Sequence, residues 1–153
     1  MSLELRQEPV QEQTRSILVV EDDRQVYMVW KTLLTKVFGF DDVVFANNSQ
    51  DAIELLKSRR FSCVSLDFDL DKGRLGGADN SSPVAHHIKD SGLDIVVIIH
   101  TGSEKRAIDI AGILGYDIDV DKFPFHEKSY EISPKCIWID KTKFPGDLQY
   151  FNI

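Results

Sequence analysis

Residues Ser16–Asp23 read SILVVEDD, a continuous apolar run that ends in acidic residues. A run of this kind, without polar alternation, is typical of a strand buried on both faces of a parallel sheet. The next segment, Arg24–Phe38, carries large apolar residues at helical spacing, and Gly39 supplies a stop. Asp23 is assigned to the start of this helix, where negative charge suits the helix dipole. The strand–helix unit predicts an α/β fold.

The same alternation of strand and helix continues along the chain. Further strands are predicted at Val43–Ala46, Phe61–Asp67, Asp94–His100 and Tyr116–Asp121. Helices are predicted after Asn48, Ser82 and Ser103, which can each cap a helix N-terminus. The polar, glycine-rich interval Asp71–Ser82 is predicted to be a mobile loop. We therefore expect a doubly wound five-stranded parallel sheet in the flavodoxin-like order 2-1-3-4-5.

The chain of 153 residues, 42% of them hydrophobic, has the size and composition of one domain. Residues 1–15 lack an apolar period and are predicted to be a disordered leader, whereas residues 16–125 form the predicted α/β domain. Residues 126–153 contain Pro134 and Pro145 and are predicted to be an irregular C-terminal extension packed on the same domain, in place of a clear fifth helix. Two alternatives stay open for Trp138 in this extension: it covers a sheet edge, or it lies in a homodimer contact.

The charge balance excludes some classes of ligand. The chain has 18 Lys and Arg against 25 Asp and Glu, a net charge of −7, which disfavours direct nucleic-acid binding and favours cations. No apolar run is long enough to span a membrane, and the N-terminus lacks the pattern of a secretory signal. Only two cysteines, Cys63 and Cys136, are present. We therefore expect a cytoplasmic protein that binds neither nucleic acid nor membrane.

Acidic residues gather where two neighbouring predicted strands end. Glu21 and Asp22 end the first strand, Asp67 ends the third, and Asp69 follows two residues later. Because ligands bind at the carboxyl ends of the strands in an open parallel sheet, these carboxylates are expected to converge there. Converging carboxylates raise one another's pKa unless a cation intervenes. Oxygen ligands of this kind favour Mg²⁺ over Zn²⁺, so Mg²⁺ is the expected cofactor.

Two further groups are expected at the same edge of the sheet. Thr101 follows the fourth predicted strand and supplies a hydroxyl, and Lys122 follows the fifth and supplies an ammonium. A metal ion, a lysine and a hydroxyl around one carboxylate suit the binding of a phosphoryl group. His100 precedes Thr101, and two interpretations stay open for it: a buried structural histidine or a member of the site.

This ordered set of residues resembles the receiver domain of two-component response regulators over roughly residues 16–125. The residues that carry the resemblance are Ile17–Asp23 (ILVVEDD), Asp67, Thr101 and Lys122. The resemblance implies that Glu21 and Asp22 hold Mg²⁺ and that Asp67 is the phosphoacceptor. It further implies that Thr101 is the switch hydroxyl and that Lys122 contacts the phosphate. A histidine kinase or phosphotransfer protein is then the implied phosphodonor, and a protein effector the implied output.

Two alternative functions remain. The loop after Asp67 is long, and Phe123 separates Lys122 from the following proline. The element Asp67-Phe68-Asp69-Leu70 and the pair His100-Thr101 are similar to receiver-like domains proposed to process cyclic phosphates. That similarity implies a metal site at Asp67 and Asp69, with His100 as acid, base or phosphate ligand. A degenerate receiver that only binds partners is the second alternative. The preferred interpretation is a phosphoacceptor signalling module rather than a turnover enzyme.

Overall fold

A computed structural model of the chain describes residues 15–70, 79–123, 127 and 129–141, and only the backbone of Lys122. In chain order the elements are β1 Ser16–Val20, α1 Arg24–Lys36, β2 Asp42–Ala46, α2 Ser49–Ser58, β3 Cys63–Leu66, β4 Asp69–Leu70, β5 Asp79–Asn80, α3 Ser82–Asp90, β6 Val96–His100, α4 Glu104–Ile113, a 3₁₀ turn Val120–Lys122, β7 Ser129–Ser133 and β8 Cys136–Ile139. None of the helices in these ranges is long and apolar enough to cross a membrane. The leader predicted at the N-terminus lies outside the described residues, apart from Arg15.

Six of the strands form one sheet in the order β2-β1-β3-β6-β8-β7. The first five strands in this order are mutually parallel, and β7 runs antiparallel to β8 at the edge. The predicted α/β doubly wound fold is therefore confirmed, and its parallel strands have the order 2-1-3-4-5. The sheet differs from the prediction by the added antiparallel strand.

The fifth parallel strand lies later in the chain than the sequence pattern indicates. The prediction of a strand at Tyr116–Asp121 is wrong, because residues 116–119 have no regular structure and Val120–Lys122 is a 3₁₀ turn. Acids alternate with apolar residues in this segment, which is too polar for a strand covered on both faces. Cys136–Ile139 takes the position instead, and all four of its residues are buried. A fifth helix after it would involve residues 142–153, which lie outside the described residues.

The two faces of the sheet carry separate hydrophobic clusters. Helix α1 covers one face, where Trp30 and Leu34 pack with strand residues that alternate along the chain: Ile17, Val19, Cys63, Ile98, Ile137 and Ile139. Helices α2, α3 and α4 cover the other face, which includes Leu18, Val20, Val64, Leu66, Val97, Ile99 and Trp138. Because β8 contributes to both clusters, it is an integral part of the core.

A small hairpin follows β3 directly. Strand β4 pairs antiparallel with β5, and the residues between them lie outside the described part of the chain, as does most of the predicted mobile loop. The Asp79 carboxylate accepts hydrogen bonds from the backbone N and the Oγ of Ser49, both at 2.7 Å. The hairpin is thereby fixed to the first residue of α2.

The burial of β8 predicts that its side chains contribute strongly to stability. Ile139, 1% exposed, lies on β8, whereas Ile132 lies half-buried on the edge strand β7. We expect Ile139→Ala to lower the free energy of unfolding by about 2–5 kcal/mol in urea denaturation, as for other large-to-small core changes. Ile132→Ala is the matched control and should lower it clearly less. Equal, small losses would mean that residues 126–153 form a peripheral extension.

Candidate functional site

Three carboxylates converge at the carboxyl ends of β1 and β3. The strands are adjacent and parallel, with Val20 paired to Leu66, so that the residues following each strand lie side by side. Glu21, Asp22 and Asp67 each place a carboxylate oxygen within 4.8 Å of the others. Glu21 and Asp67 are buried, at 1% and 6% exposure, and Asp22 is half-buried. The predicted convergence of these three residues is present in the structure.

A lysine lies between two of these carboxylates. The Nζ of Lys141 donates to Oε1 of Glu21 at 2.7 Å and to Oδ2 of Asp67 at 2.9 Å. Lys141 is brought there by β8, which ends at Ile139 on the far side of β6 from β3. The sequence pattern predicts this role for Lys122, whose side chain lies outside the described part of the chain. The ammonium seen beside Asp67 therefore comes from a residue that sequence reasoning missed.

A signal for Lys141 was present in the sequence. The run Cys136–Asp140 (CIWID) has the buried-strand pattern and ends in an acid, as β1 does, and Lys141 follows at once. The segment Tyr116–Asp121 follows the fourth helix at the short spacing usual for α/β units, and the alternation of strand and helix therefore predicts the fifth strand there. The inserted 3₁₀ turn and β7 move the strand beyond that spacing.

Burial dominates the electrostatics of the acidic group. It raises the pKa of Glu21 to about 8, and the charge of Asp67 adds to the increase, while Lys141 opposes it. Burial likewise raises the pKa of Asp67, against the hydrogen bonds from Glu21 and Lys141. Burial alone would lower the pKa of Lys141, but its bonds to both carboxylates raise it. Lys141 thus serves both Glu21 and Asp67, and a further cation beside the three carboxylates would favour their ionised forms.

Thr101 lies at the end of β6, next to β3, and is 5% exposed. Its Oγ1 accepts a hydrogen bond from the backbone N of Ser103 at 3.1 Å, and the Oγ of Ser103 in turn caps α4. The backbone carbonyl of Thr101 accepts a hydrogen bond from Nε1 of Trp138 at 2.9 Å. Thr101 is therefore linked both to the start of α4 and to β8.

His100 is enclosed on the α1 side of the sheet. It is 1% exposed, and its ring stacks on Trp30 with 4.7 Å between centroids. The Nε1 of Trp30 donates to Oγ of Ser65 at 2.9 Å, which fixes the indole beneath the histidine. Burial and the nearby Lys141 charge lower the pKa of His100 to about 3. At neutral pH the ring is uncharged and closed to solvent.

Asp69 does not join the acidic group. Among the described residues the cluster contains only Glu21, Asp22 and Asp67. Asp69 begins β4, where alternation buries its neighbours Phe68 and Leu70 and turns Asp69 towards solvent. The Asp69 side chain is 70% exposed, and its Oδ1 lies 3.7 Å from Nη2 of Arg106. The local strand pairing therefore separates it from Asp67.

Comparison with known proteins identifies the class. The sequence model of the response regulator receiver domain matches residues 17–119, and the chain belongs to that family. The match ends before β7, β8 and Lys141. No curated protein matches the chain.

Solved structures of response regulators share the fold. MaeR bound to beryllium trifluoride is 24% identical, with 73% of this chain and 88% of that chain covered and a TM-score of 0.53. TrrA from Thermotoga maritima, in complex with Mg²⁺-BeF, is 22% identical over 66% of this chain and 82% of that chain, with a TM-score of 0.56. The signal receiver domain of a DNA-binding response regulator from Colwellia psychrerythraea 34H is 25% identical over 65% of this chain and 79% of that chain, with a TM-score of 0.52.

The enclosed histidine predicts an acid-dependent stability. His100 titrates near 3 in the folded chain and near 6.5 when unfolded, so below pH 6.5 the unfolded state binds the extra proton. The stabilising contribution of the neutral ring is complete above pH 6.5 and is lost as the pH falls towards 3, by at most about 1.4 kcal/mol per pH unit. His100→Phe keeps an aromatic ring on Trp30 and should flatten this dependence in urea unfolding between pH 7 and 4. Parallel curves for wild type and variant would contradict the assignment of a neutral His100.

Proposed function

We propose that this receiver domain accepts a phosphoryl group on Asp67 in the presence of Mg²⁺ and so works as a phosphorelay signalling module. The observation that carries the proposal is the contact of Lys141 with Glu21 and Asp67 inside a group of three converging carboxylates. An acidic acceptor, a cation beside it and a further oxygen-rich cation site are the components that phosphoryl transfer requires.

The donor set fits Mg²⁺. Glu21, Asp22 and Asp67 supply hard oxygen ligands within reach of one another, and Oε2 of Glu21 is buried without a hydrogen-bond donor among the described residues. When bound there, Mg²⁺ would neutralise charge on the transferred phosphoryl oxygens. A divalent ion would also offset the burial that raises the pKa of Glu21 and Asp67, which favours their ionised forms.

The chemistry assigned to Asp67 is an in-line transfer from a phosphohistidine. An ionised carboxylate oxygen of Asp67 attacks the phosphorus, so that the new O–P bond forms as the N–P bond of the donor breaks. The leaving imidazole keeps the electron pair of that bond and takes up a proton from water. Lys141, already 2.9 Å from the Asp67 carboxylate, is positioned to neutralise the added negative charge. Attack of water on the phosphorus later releases phosphate and restores the carboxylate.

The structural response to phosphorylation is assigned to Thr101 and the residues packed around it. Its hydroxyl can donate a hydrogen bond to a phosphoryl oxygen, while its carbonyl is bonded to Trp138. Trp138 packs on Phe123 at 5.2 Å between ring centroids, and Phe123 packs on Tyr130 at 5.2 Å. Tyr130 is 38% exposed on the edge strand, so a movement of Thr101 has a packed aromatic path to the surface.

The partners follow from this reaction. A histidine kinase or phosphotransfer protein would supply the phosphoryl group, and a protein effector would read the modified domain. We place the module in the cytoplasm, in keeping with two buried cysteines that form no disulfide. Trp138 is 1% exposed in the core and does not lie in a homodimer contact, whereas homodimer formation by another surface stays a prediction. The cyclic-phosphate alternative has weaker geometric support, because His100 is enclosed and Asp69 lies outside the acidic group.

Magnesium binding is expected to depend on the residues that end β1. Asp22→Asn removes a proposed ligand charge and should weaken Mg²⁺ binding by at least about tenfold, measured by titration calorimetry. The matched control is Asp23→Asn. Asp23 is the neighbouring acid, but its carboxylate caps α1 by accepting from the backbone N of Gln25 and Val26, a role that asparagine can fill. Equal affinities for Asp22→Asn and wild type would remove Asp22 from the metal site.

A phosphorylation assay tests the assignment of Asp67 as the phosphoacceptor. Incubation with acetyl phosphate and Mg²⁺ should add one hydroxylamine-sensitive phosphoryl group, detected by intact-protein mass spectrometry, and Asp67→Asn should abolish it. Lys141→Met should lower the extent of labelling strongly, because it removes the ammonium beside the acceptor.

Lys122→Met is measured alongside, since the sequence pattern predicts that residue instead. If Lys122→Met lowers labelling and Lys141→Met does not, the lysine assignment returns to Lys122. A wild-type chain that binds Mg²⁺ but takes up no phosphoryl group would contradict the proposed function and favour the enzyme alternative. A chain that does neither would favour the degenerate receiver.

A further inference from the structure

Arg106, in the first turn of α4, contacts Phe68 and Asp69, the two residues that directly follow the proposed phosphoacceptor Asp67. Its guanidinium carbon lies 4.4 Å from the ring centroid of Phe68, and its Nη2 lies 3.7 Å from Oδ1 of Asp69. Stacking on an aromatic ring together with pairing to a carboxylate uses both the plane and the charge of an arginine. Phe68 is buried, so its ring holds a fixed position against which the guanidinium stacks.

The backbone around Asp67 is held from other sides as well. The Oγ of Ser81 donates to the backbone carbonyl of Asp67, and the backbone N of Ser81 donates to the carbonyl of Phe68 at 2.9 Å. Ser81 is fully buried at the start of α3. With Asp79 fixed to α2, the segment after Asp67 is tied to α2 and α3 by hydrogen bonds. Among the described residues, Arg106 connects this segment to α4.

Helix α4 thus receives two connections from the edge of the sheet that carries the site. One runs from Thr101 through Ser103, whose backbone N bonds to the Thr101 hydroxyl. The other runs from Phe68 and Asp69 to Arg106 and does not include Thr101. A phosphoryl group carries about 1.5–2 negative charges, so its transfer to the ionised Asp67 carboxylate adds up to about one negative charge two residues before Asp69 and beside this second connection.

We propose that Arg106 is a positioning residue that couples the phosphoacceptor segment Asp67–Asp69 to α4, by stacking on Phe68 and pairing with Asp69. This inference rests on the proposed phosphorylation of Asp67. Arg106 holds the two residues after the acceptor against the first turn of α4, so that a displacement or a change of charge at Asp67 reaches α4 directly. The helix then responds to phosphorylation through Arg106 as well as through Thr101.

The test uses the full chain, labelled with ¹⁵N, and follows amide chemical shifts when beryllofluoride and Mg²⁺ are added as a phosphoryl mimic. In wild type, shifts are expected at Asp67 and Thr101 and in the first turn of α4, residues 104–107. In Arg106→Ala the α4 shifts should fall at least twofold, while those at Asp67 and Thr101 persist. Arg106→Lys keeps the charge without the planar group and should restore part of the response.

Arg59 provides a matched control at the opposite edge of the sheet. It stacks on Phe61 at 4.6 Å and pairs with Asp42 at 2.6 Å, and its side chain is 39% exposed against 40% for Arg106. Arg59→Ala should leave the α4 response at the wild-type level. The inference is overturned if Arg106→Ala responds like wild type, or if Arg59→Ala weakens the α4 response equally. An absence of any response in wild type would instead overturn the proposed function, and this inference with it.

Discussion

The close approach of two buried carboxyl groups at the ends of β1 and β3 is the constraint on which the rest of the structure depends. The parallel pairing of these strands sets Glu21 beside Asp67, and both are almost inaccessible to water. Two carboxylates in such surroundings repel each other and lack hydration, so they persist in ionised form only with cations close by. Lys141, two residues after the end of β8, supplies one of these cations. The acidic edge and the last strand are therefore parts of one electrostatic arrangement.

Much of the fold could be predicted because its decisive segments have a single physical interpretation. The run Ser16–Val20 is too apolar to face water, which predicts a buried strand. The apolar residues of Arg24–Lys36 recur at helical spacing and form one broad stripe, which predicts a helix packed on the sheet. The positions of β1 and α1 were therefore predictable within a few residues. Glu21, Asp22 and Asp67 followed from the rule that ligand groups gather at the carboxyl ends of parallel strands. At these positions the local sequence pattern and the order of the strands in the sheet lead to the same prediction.

The remaining differences between prediction and structure arise where the outcome depends on contacts distant in sequence. Tyr116–Asp121 alternates acids with apolar residues, whereas Cys136–Ile139 is apolar enough to bury all four of its residues beside β6. Lys141 then follows from the strand and could not be predicted without it. Asp69 lies outside the acidic group because β4 pairs with β5. Each of these strands has only two residues, so no alternating pattern in the sequence is long enough to predict them. For His100, the stack on Trp30 favours the interpretation as a buried structural histidine, and that contact joins a helix to a strand far along the chain.

The origin of Lys141 has a consequence for biogenesis. It lies 120 residues after Glu21 and 74 after Asp67, so both acids leave the ribosome well before their cation does. Until β8 emerges, β6 also has an open backbone edge on the side that β8 later occupies. The pairing of β6 with its last parallel neighbour and the pairing of the two acids with Lys141 therefore both require that β8 and Lys141 have been synthesised. A nascent chain stalled before that point would display an unpaired strand and an unbalanced acidic pair together, which are the features that chaperones and proteases act on.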